Sequence, residues 1–262
     1  MNVLQNLTTF YDQLPIDSTY RNVAGKILEN LAEASNATIF ELAAITDSSR
    51  TTIYRMLQKM GYANYLDFHH DLKQAVNNYT YYNRIIPPSD ILDSSDIPSY
   101  CSRQVNITSE AIEELLNWGR MEKIVHEVMK APVVYFFLSH QSAAVNSFQQ
   151  NLALAGKPNG IYCLYPDQLT AAKEMPEKSI VFMNTIEFAE SQDVTEIFKE
   201  MKSRKAKIIL MSTSESRYEK YADSYFVPLH DGLSILTSLL LEESFFLVVS
   251  ELLRYHYIEN KS

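Results

Sequence analysis

Residues 38–62, TIFELAAITDSSRTTIYRMLQKMGY, read as two short helices joined by a tight polar turn. Ile39, Leu42 and Ala43 give the first helix an apolar stripe at i, i+3, i+4, and Ile53, Met56, Leu57 and Met60 repeat that spacing in the second. Between them lies Thr46-Asp47-Ser48-Ser49. Short polar side chains of this kind bond nearby backbone N–H groups and so favour turns and helix N-caps. Asp47 can adopt the left-handed backbone that such a turn uses, though less easily than glycine. Gly61 stands where a helix C-cap is expected.

With the second stripe turned inward, Thr51, Tyr54, Arg55 and Gln58 point away from it, flanked by Arg50 and Lys59. From Ser48 to Gly61 the charged residues are Arg50, Arg55 and Lys59, with no acid among them. A short helix with a donor-rich face, held across another helix, has the geometry that enters a DNA major groove. Arginine bonds guanine bidentately, glutamine reads adenine, and Ser, Thr and Lys hold phosphates. Arg50, Thr51, Tyr54, Arg55 and Gln58 are therefore the base-edge or groove candidates. Ser49, Thr52 and Lys59 are better placed as caps or phosphate contacts. The ordinary alternative is a helical hairpin with a solvated polar face.

The run Glu41-Leu42-Ala43, then Ser49, Thr52-Ile53, Arg55 and Lys59-Met60-Gly61-Tyr62, resembles the N-terminal helix-turn-helix of the RpiR family of bacterial transcription regulators. Tyr62-Ala63-Asn64-Tyr65-Leu66-Asp67-Phe68 resembles the family's segment just after that motif. The family usually has a glycine and an apolar residue where this chain has Asp47 and Ser48. The resemblance implies a DNA-binding regulator, with double-stranded operator DNA as its partner.

The chain's 262 residues suffice for two domains. A hydrophobic content of 46% beside 21% charged residues is ordinary for a soluble globular protein. No cationic segment followed by an apolar core marks a secretory signal. The apolar run Leu239 to Leu253 is interrupted by Glu242, Glu243 and Glu251, too short and too charged to span a membrane. Cys101 and Cys163 make neither a disulfide framework nor a metal site, which fits a cytoplasmic protein with reduced thiols. The net charge of −9 argues against non-specific coating of nucleic acid. Residues 1–80 carry Arg21, Lys26, Arg50, Arg55, Lys59 and Lys73 against Asp12, Asp17, Glu29, Glu33, Glu41, Asp47, Asp67 and Asp71. DNA binding must then rest on local placement of charge, and a dimer presenting two recognition helices would strengthen it.

Taken in order, residues 2–13 form a short helix ended by Pro15, and Asp17 or Ser18 caps a second helix running to about Ala34. The two motif helices come next, and then a helix over 67–78, which makes residues 1–78 a helical domain. Within it His69 and His70 are adjacent and cannot share a helix face, so solvated or half-buried histidines are expected and no metal site. Residues 79–105, rich in Pro, Ser and Asp, read as a linker or irregular connecting segment. From Asn106 helical stripes return, and an α/β alternation begins at Val133. Strands are expected at 133–138, 161–164, 180–183, 207–211 and 225–227, separated by helices and closed by a long helix over 233–256. The fold class is thus an α-helical helix-turn-helix domain followed by an α/β domain (106–262) with a parallel sheet flanked by helices.

Ligands of open α/β sheets sit at the carboxyl ends of the strands. Here those ends carry Ser139, His140 and Ser142, then Asn184 and Thr185, then Ser212-Thr213-Ser214-Glu215-Ser216. Hydroxyls beside helix N-termini could hold a phosphate, or could simply be N-caps. The element order, together with Ala206-Lys207-Ile208-Ile209-Leu210-Met211-Ser212 and Tyr221-Ala222-Asp223, resembles the sugar isomerase (SIS) domain, which commonly comes after the RpiR-type motif. That resemblance implies a phosphosugar effector, carbohydrate-related target genes and a homo-oligomer, at least a dimer. Where the SIS family has a Gly-x-Gly-x-Ser turn, this chain has Leu138-Ser139-His140-Gln141-Ser142 and keeps only Ser142. Where the family has Ser-x-Ser-Gly-x-Thr, it has Asn184-Thr185-Ile186-Glu187-Phe188-Ala189 and keeps nothing. Glycines let backbone N–H groups approach a phosphate, and none of the chain's six lies in either loop. A different effector, or a domain reduced to dimerisation, is the expectation. The alternative from another class is a phosphosugar isomerase, with His140, Glu242 and Glu243 as its acid and base candidates. No hydrolase triad, zinc motif or dinucleotide fingerprint is present, so no cofactor, metal or catalytic residue is assigned.

Overall fold

The computed structural model describes residues 3–77, 86, 93–138, 141–185, 193–212, 217–222, 224–226 and 234–259. Two compact units make it up, an all-helical one built on residues 1–84 and an α/β one built on 85–163, 168–189 and 193–262.

The helical unit contains α1 (Val3–Gln13), α2 (Thr19–Glu29), α3 (Leu31–Ala34), α4 (Ile39–Ile45), α5 (Arg50–Lys59) and α6 (Tyr65–Asn77). Leu7, Phe10, Val23, Ile27, Leu42, Ile53, Met56, Leu57, Phe68 and Leu72 meet in its core. Two polar contacts fix the frame: Asn6 Nδ2 donates to the Met60 carbonyl at 3.0 Å, and the Tyr65 hydroxyl to the Ala37 carbonyl at 2.8 Å. The single helix expected up to Ala34 is in fact two. Asn30 leaves the helical region at φ −125, ψ 38, and its side-chain amide bonds the Lys26 carbonyl at 2.8 Å. An asparagine side chain there competes with the backbone for the acceptor that a continuing helix would use.

The α/β unit opens with α7 (Asp96–Leu115) and α8 (Trp118–Lys130). The start of α7 corrects the expectation of an irregular segment up to residue 105. Its loop-like composition is capping chemistry. The Asp93 N–H donates to Asp96 Oδ2 at 3.0 Å, the Ser95 N–H to Asp93 Oδ1 at 2.9 Å, and Pro98 falls in the first turn, where no N–H is needed. The rest of the expected linker, 79–85 and 87–92, lies outside the described residues.

Next come β1 (Val134–Phe137), α9 (Ala143–Leu154), β2 (Asn159–Tyr162), α10 (Tyr165–Glu174), β3 (Ile180–Asn184), α11 (Thr195–Ser203), β4 (Lys207–Met211), β5 (Ser224–Phe226) and α12 (Ile235–Arg254). The strands form one sheet in the order β2-β1-β3-β4-β5, every neighbouring pair parallel. All of β1, and β3 up to Met183, is buried, as continuous apolar runs in a two-sided sheet should be. Val134, Phe136, Ile180, Phe182, Ile209 and Met211 share a core with α8, α9 and α12. Ile197, Phe198 and Met201 of α11 are buried as well, and the Phe198 ring stacks on that of fully buried Tyr218 at 4.8 Å.

The second strand lies at Asn159–Tyr162 and not at 161–164, because its register is pinned by Val134 opposite Asn159. Gly160 suits this edge strand for a steric reason: a Cβ there would stand 2.9 Å from the Tyr162 ring. No helix among the described residues is long and apolar enough to cross a membrane.

Candidate nucleic-acid interface and effector site

The turn between α4 and α5 is built from matched caps. Thr38 starts α4 with a reciprocal box: the Glu41 N–H donates to Thr38 Oγ1 at 3.3 Å, and the Thr38 N–H to Glu41 Oε2 at 2.7 Å. These bonds hold the Glu41 carboxyl below its ordinary range. At the other end the Asp47 N–H reaches the Ala44 carbonyl at 3.2 Å and the Ser48 N–H the Ala43 carbonyl at 2.9 Å. This is a Schellman closure, and its left-handed position is Asp47, at φ 44. Lys26 pairs with the Asp47 carboxylate and anchors it. α5 ends in the same way, with Gly61 at φ 93, its N–H on the Gln58 carbonyl at 3.1 Å and the Tyr62 N–H on the Leu57 carbonyl at 2.9 Å.

Asp47 is thus the one non-glycine that holds the turn in a left-handed backbone. Asp47→Val is expected to lower stability by about 1–2 kcal/mol, since β-branched residues fit positive φ poorly. Asp47→Gly, which relieves the backbone and loses the Lys26 pair, should change it little. Thermal unfolding of the two variants checks this.

Ile53, Met56, Leu57 and Met60 are all buried, which leaves Arg50, Thr51, Tyr54, Arg55, Gln58 and Lys59 exposed and Thr52 half-buried. The structure therefore brings every base-edge candidate to one outward face of a ten-residue helix. Ser49 is the N-cap: its Oγ accepts the Thr52 N–H at 3.1 Å and lies 2.9 Å from the Thr52 hydroxyl. Lys59 sits 5.9 Å from the Tyr20 ring. Phe40, on α4, is 65% exposed and lies against Arg50, whose guanidinium carbon is 4.3 Å from its ring centre. Phe40 is visible in the sequence as an aromatic one step outside the stripe of Ile39, Leu42 and Ala43. His69 is half-buried and stacks on Tyr65 at 5.6 Å between ring centres, while His70 is exposed.

At the carboxyl ends of the strands, Ser139, His140 and 213–216 lie outside the described residues. Ser142 caps α9, accepting the Val145 N–H at 3.2 Å, and the adjacent Ala144 N–H donates to Glu243 Oε2 at 3.3 Å. Asn184 Nδ2 donates to Glu242 Oε2 at 2.5 Å, and the Thr185 hydroxyl to the Ser212 hydroxyl at 2.7 Å. Ser142, Asn184 and Thr185 each make internal bonds to neighbouring protein groups. Glu242 is 4% exposed, so it does not sit on a polar outer side of the last helix. α12 is apolar over most of its surface, so its sequence period does not show that one of its two adjacent glutamates turns inward. Among the described residues no group of three or more His, Cys, Asp or Glu side chains could hold a metal ion.

No family model matches this sequence, and no curated protein matches it. Among solved structures, the chain is similar to the NanR protein of Vibrio vulnificus complexed with ManNAc-6P, at 20% identity and a TM-score of 0.47, over 98% of this chain and 94% of that one. It is similar to the sugar isomerase domain of an RpiR transcription factor from Sphaerobacter thermophilus, at 13% identity and a TM-score of 0.48, over 63% of this chain and 93% of that domain. A third likeness is to a putative sugar-phosphate isomerase from Listeria monocytogenes, at 15% identity and a TM-score of 0.45, over 65% of this chain and 96% of that one.

Proposed function

We propose that this protein is a cytoplasmic, DNA-binding transcription regulator of the RpiR type, acting on carbohydrate-related genes and not as an enzyme. Residues 1–78 read an operator. The α/β domain, with α7 included, is SIS-like and assembles the chain into at least a dimer. A phosphosugar is the effector that the family resemblance implies, and the glycine-free runs 138–142 and 184–189 fit a different effector or a domain reduced to dimerisation. The observation that carries the reading is the outward face of α5. Arg50, Thr51, Tyr54, Arg55 and Gln58 are all exposed on it, and the opposite face is sealed into the core. Exposed donors on a helix braced by a second helix suit major-groove entry.

The test is selection of bound DNA from a random-sequence pool by the native chain and by an Arg50→Ala, Arg55→Ala variant. An inverted repeat with half-sites about one or more helical turns apart is expected with the native chain, and its loss with the variant. No enrichment by folded native protein at low salt would sink sequence-specific binding by the ligand-free form.

A further inference from the structure

We propose that Phe40 is a positioning residue for DNA reading: its ring holds the Arg50 guanidinium by one face, so that the donor edge is presented to a guanine. The inference rests on the regulator reading and names how one of its contacts is made.

Phe40 lies outside the buried stripe of α4 and is 65% exposed, too much for a core residue. Its ring meets Arg50, the first residue of α5, at 4.3 Å from ring centre to guanidinium carbon. The contact therefore spans the turn and holds a side chain at the leading end of the recognition helix. The guanidinium donors all lie in its plane. A ring on one face leaves that edge free, and the edge is what bonds guanine O6 and N7.

The neighbouring acids are engaged elsewhere. Glu41 is turned to the Thr38 N–H at 2.7 Å, and Asp47 is paired with Lys26. Among the described residues no carboxylate forms an ion pair with Arg50, so an uncharged ring orients it and its charge stays available to DNA. A long flexible side chain ordered before binding loses less freedom on binding.

The experiment uses the full chain as native protein, Arg50→Ala, Phe40→Ala and Phe40→Tyr, each put through the same random-pool selection. Anisotropy titrations are then run on the enriched operator and on copies with single guanines replaced. The native protein should prefer guanine at one position per half-site by roughly 5–100-fold. Arg50→Ala should lose that preference, Phe40→Ala should lose most of it, and Phe40→Tyr, which keeps the ring, should retain it. The salt dependence of Phe40→Ala should match the native protein, because no phosphate contact is removed. A Phe40→Ala variant that keeps the native guanine preference overturns the inference and leaves the regulator reading standing. A native protein that enriches no sequence overturns both. Phe40→Leu, with apolar bulk and no π face, gives the same discrimination should the alanine variant fold poorly.

Discussion

Phe182→Ala is expected to lower the stability of the α/β unit by about 3–5 kcal/mol, the usual cost of emptying a large buried aromatic site. Phe182 is fully buried at the centre of β3. Its ring stacks on Phe136 at 5.3 Å and meets Phe148 edge-on at 5.6 Å. Phe246 and Phe245 close the cluster at 5.7 and 6.1 Å. One truncation therefore strips contacts from two strands and two helices at once. The loss is comparable with the whole margin of a marginal domain, roughly 5–15 kcal/mol. Urea unfolding followed by far-ultraviolet circular dichroism should show a lower midpoint at a similar slope. A native midpoint would mean that the aromatic cluster does not carry this core.

Arg55→Glu is expected to cut operator affinity by about 100-fold or more. Removing a bidentate arginine accounts for about 1–3 kcal/mol of that, and a carboxylate facing the phosphate array adds repulsion. Arg55 is exposed, and glutamate matches arginine closely as a helix former, so the fold should stay intact. Anisotropy titrations at several salt concentrations separate the two terms, since the added repulsion changes the salt slope and the lost base contact does not. Affinity within about threefold of native for a folded variant would place the DNA-reading face elsewhere.

α5 and its inward stripe were legible in the sequence because Ile53, Met56, Leu57 and Met60 obey one period and Gly61 ends it. β4 was legible to the residue, since 208–211 is a continuous apolar run that begins just after the charged Lys207. The start of α7 was not, because Ser, Asp and Pro are common to loops and to the first turn of a helix. Nor was the break at Asn30, which depends on one side-chain bond. In the candidate effector site the residue types were visible, but their use was not. Asn184 meets Glu242 across 58 positions, and Thr185 meets Ser212 across 27. The pairing of β3 with β4 in the parallel sheet brings Thr185 to Ser212, and the packing of α12 on that sheet brings Glu242 to Asn184.

That sheet also sets the order in which the molecule can assemble. In a parallel sheet each strand meets its neighbour only after an intervening crossover, so its pairings close long loops and form slowly. The helical unit is held mainly by contacts between successive helices, which form on a much shorter timescale. It also leaves the ribosome first. For an interval during synthesis, then, a finished helical unit trails a chain whose strands β1, β3 and β4, among its most apolar segments, are still unpaired. The burden of avoiding aggregation, and any need for chaperones, falls on the second half of the molecule.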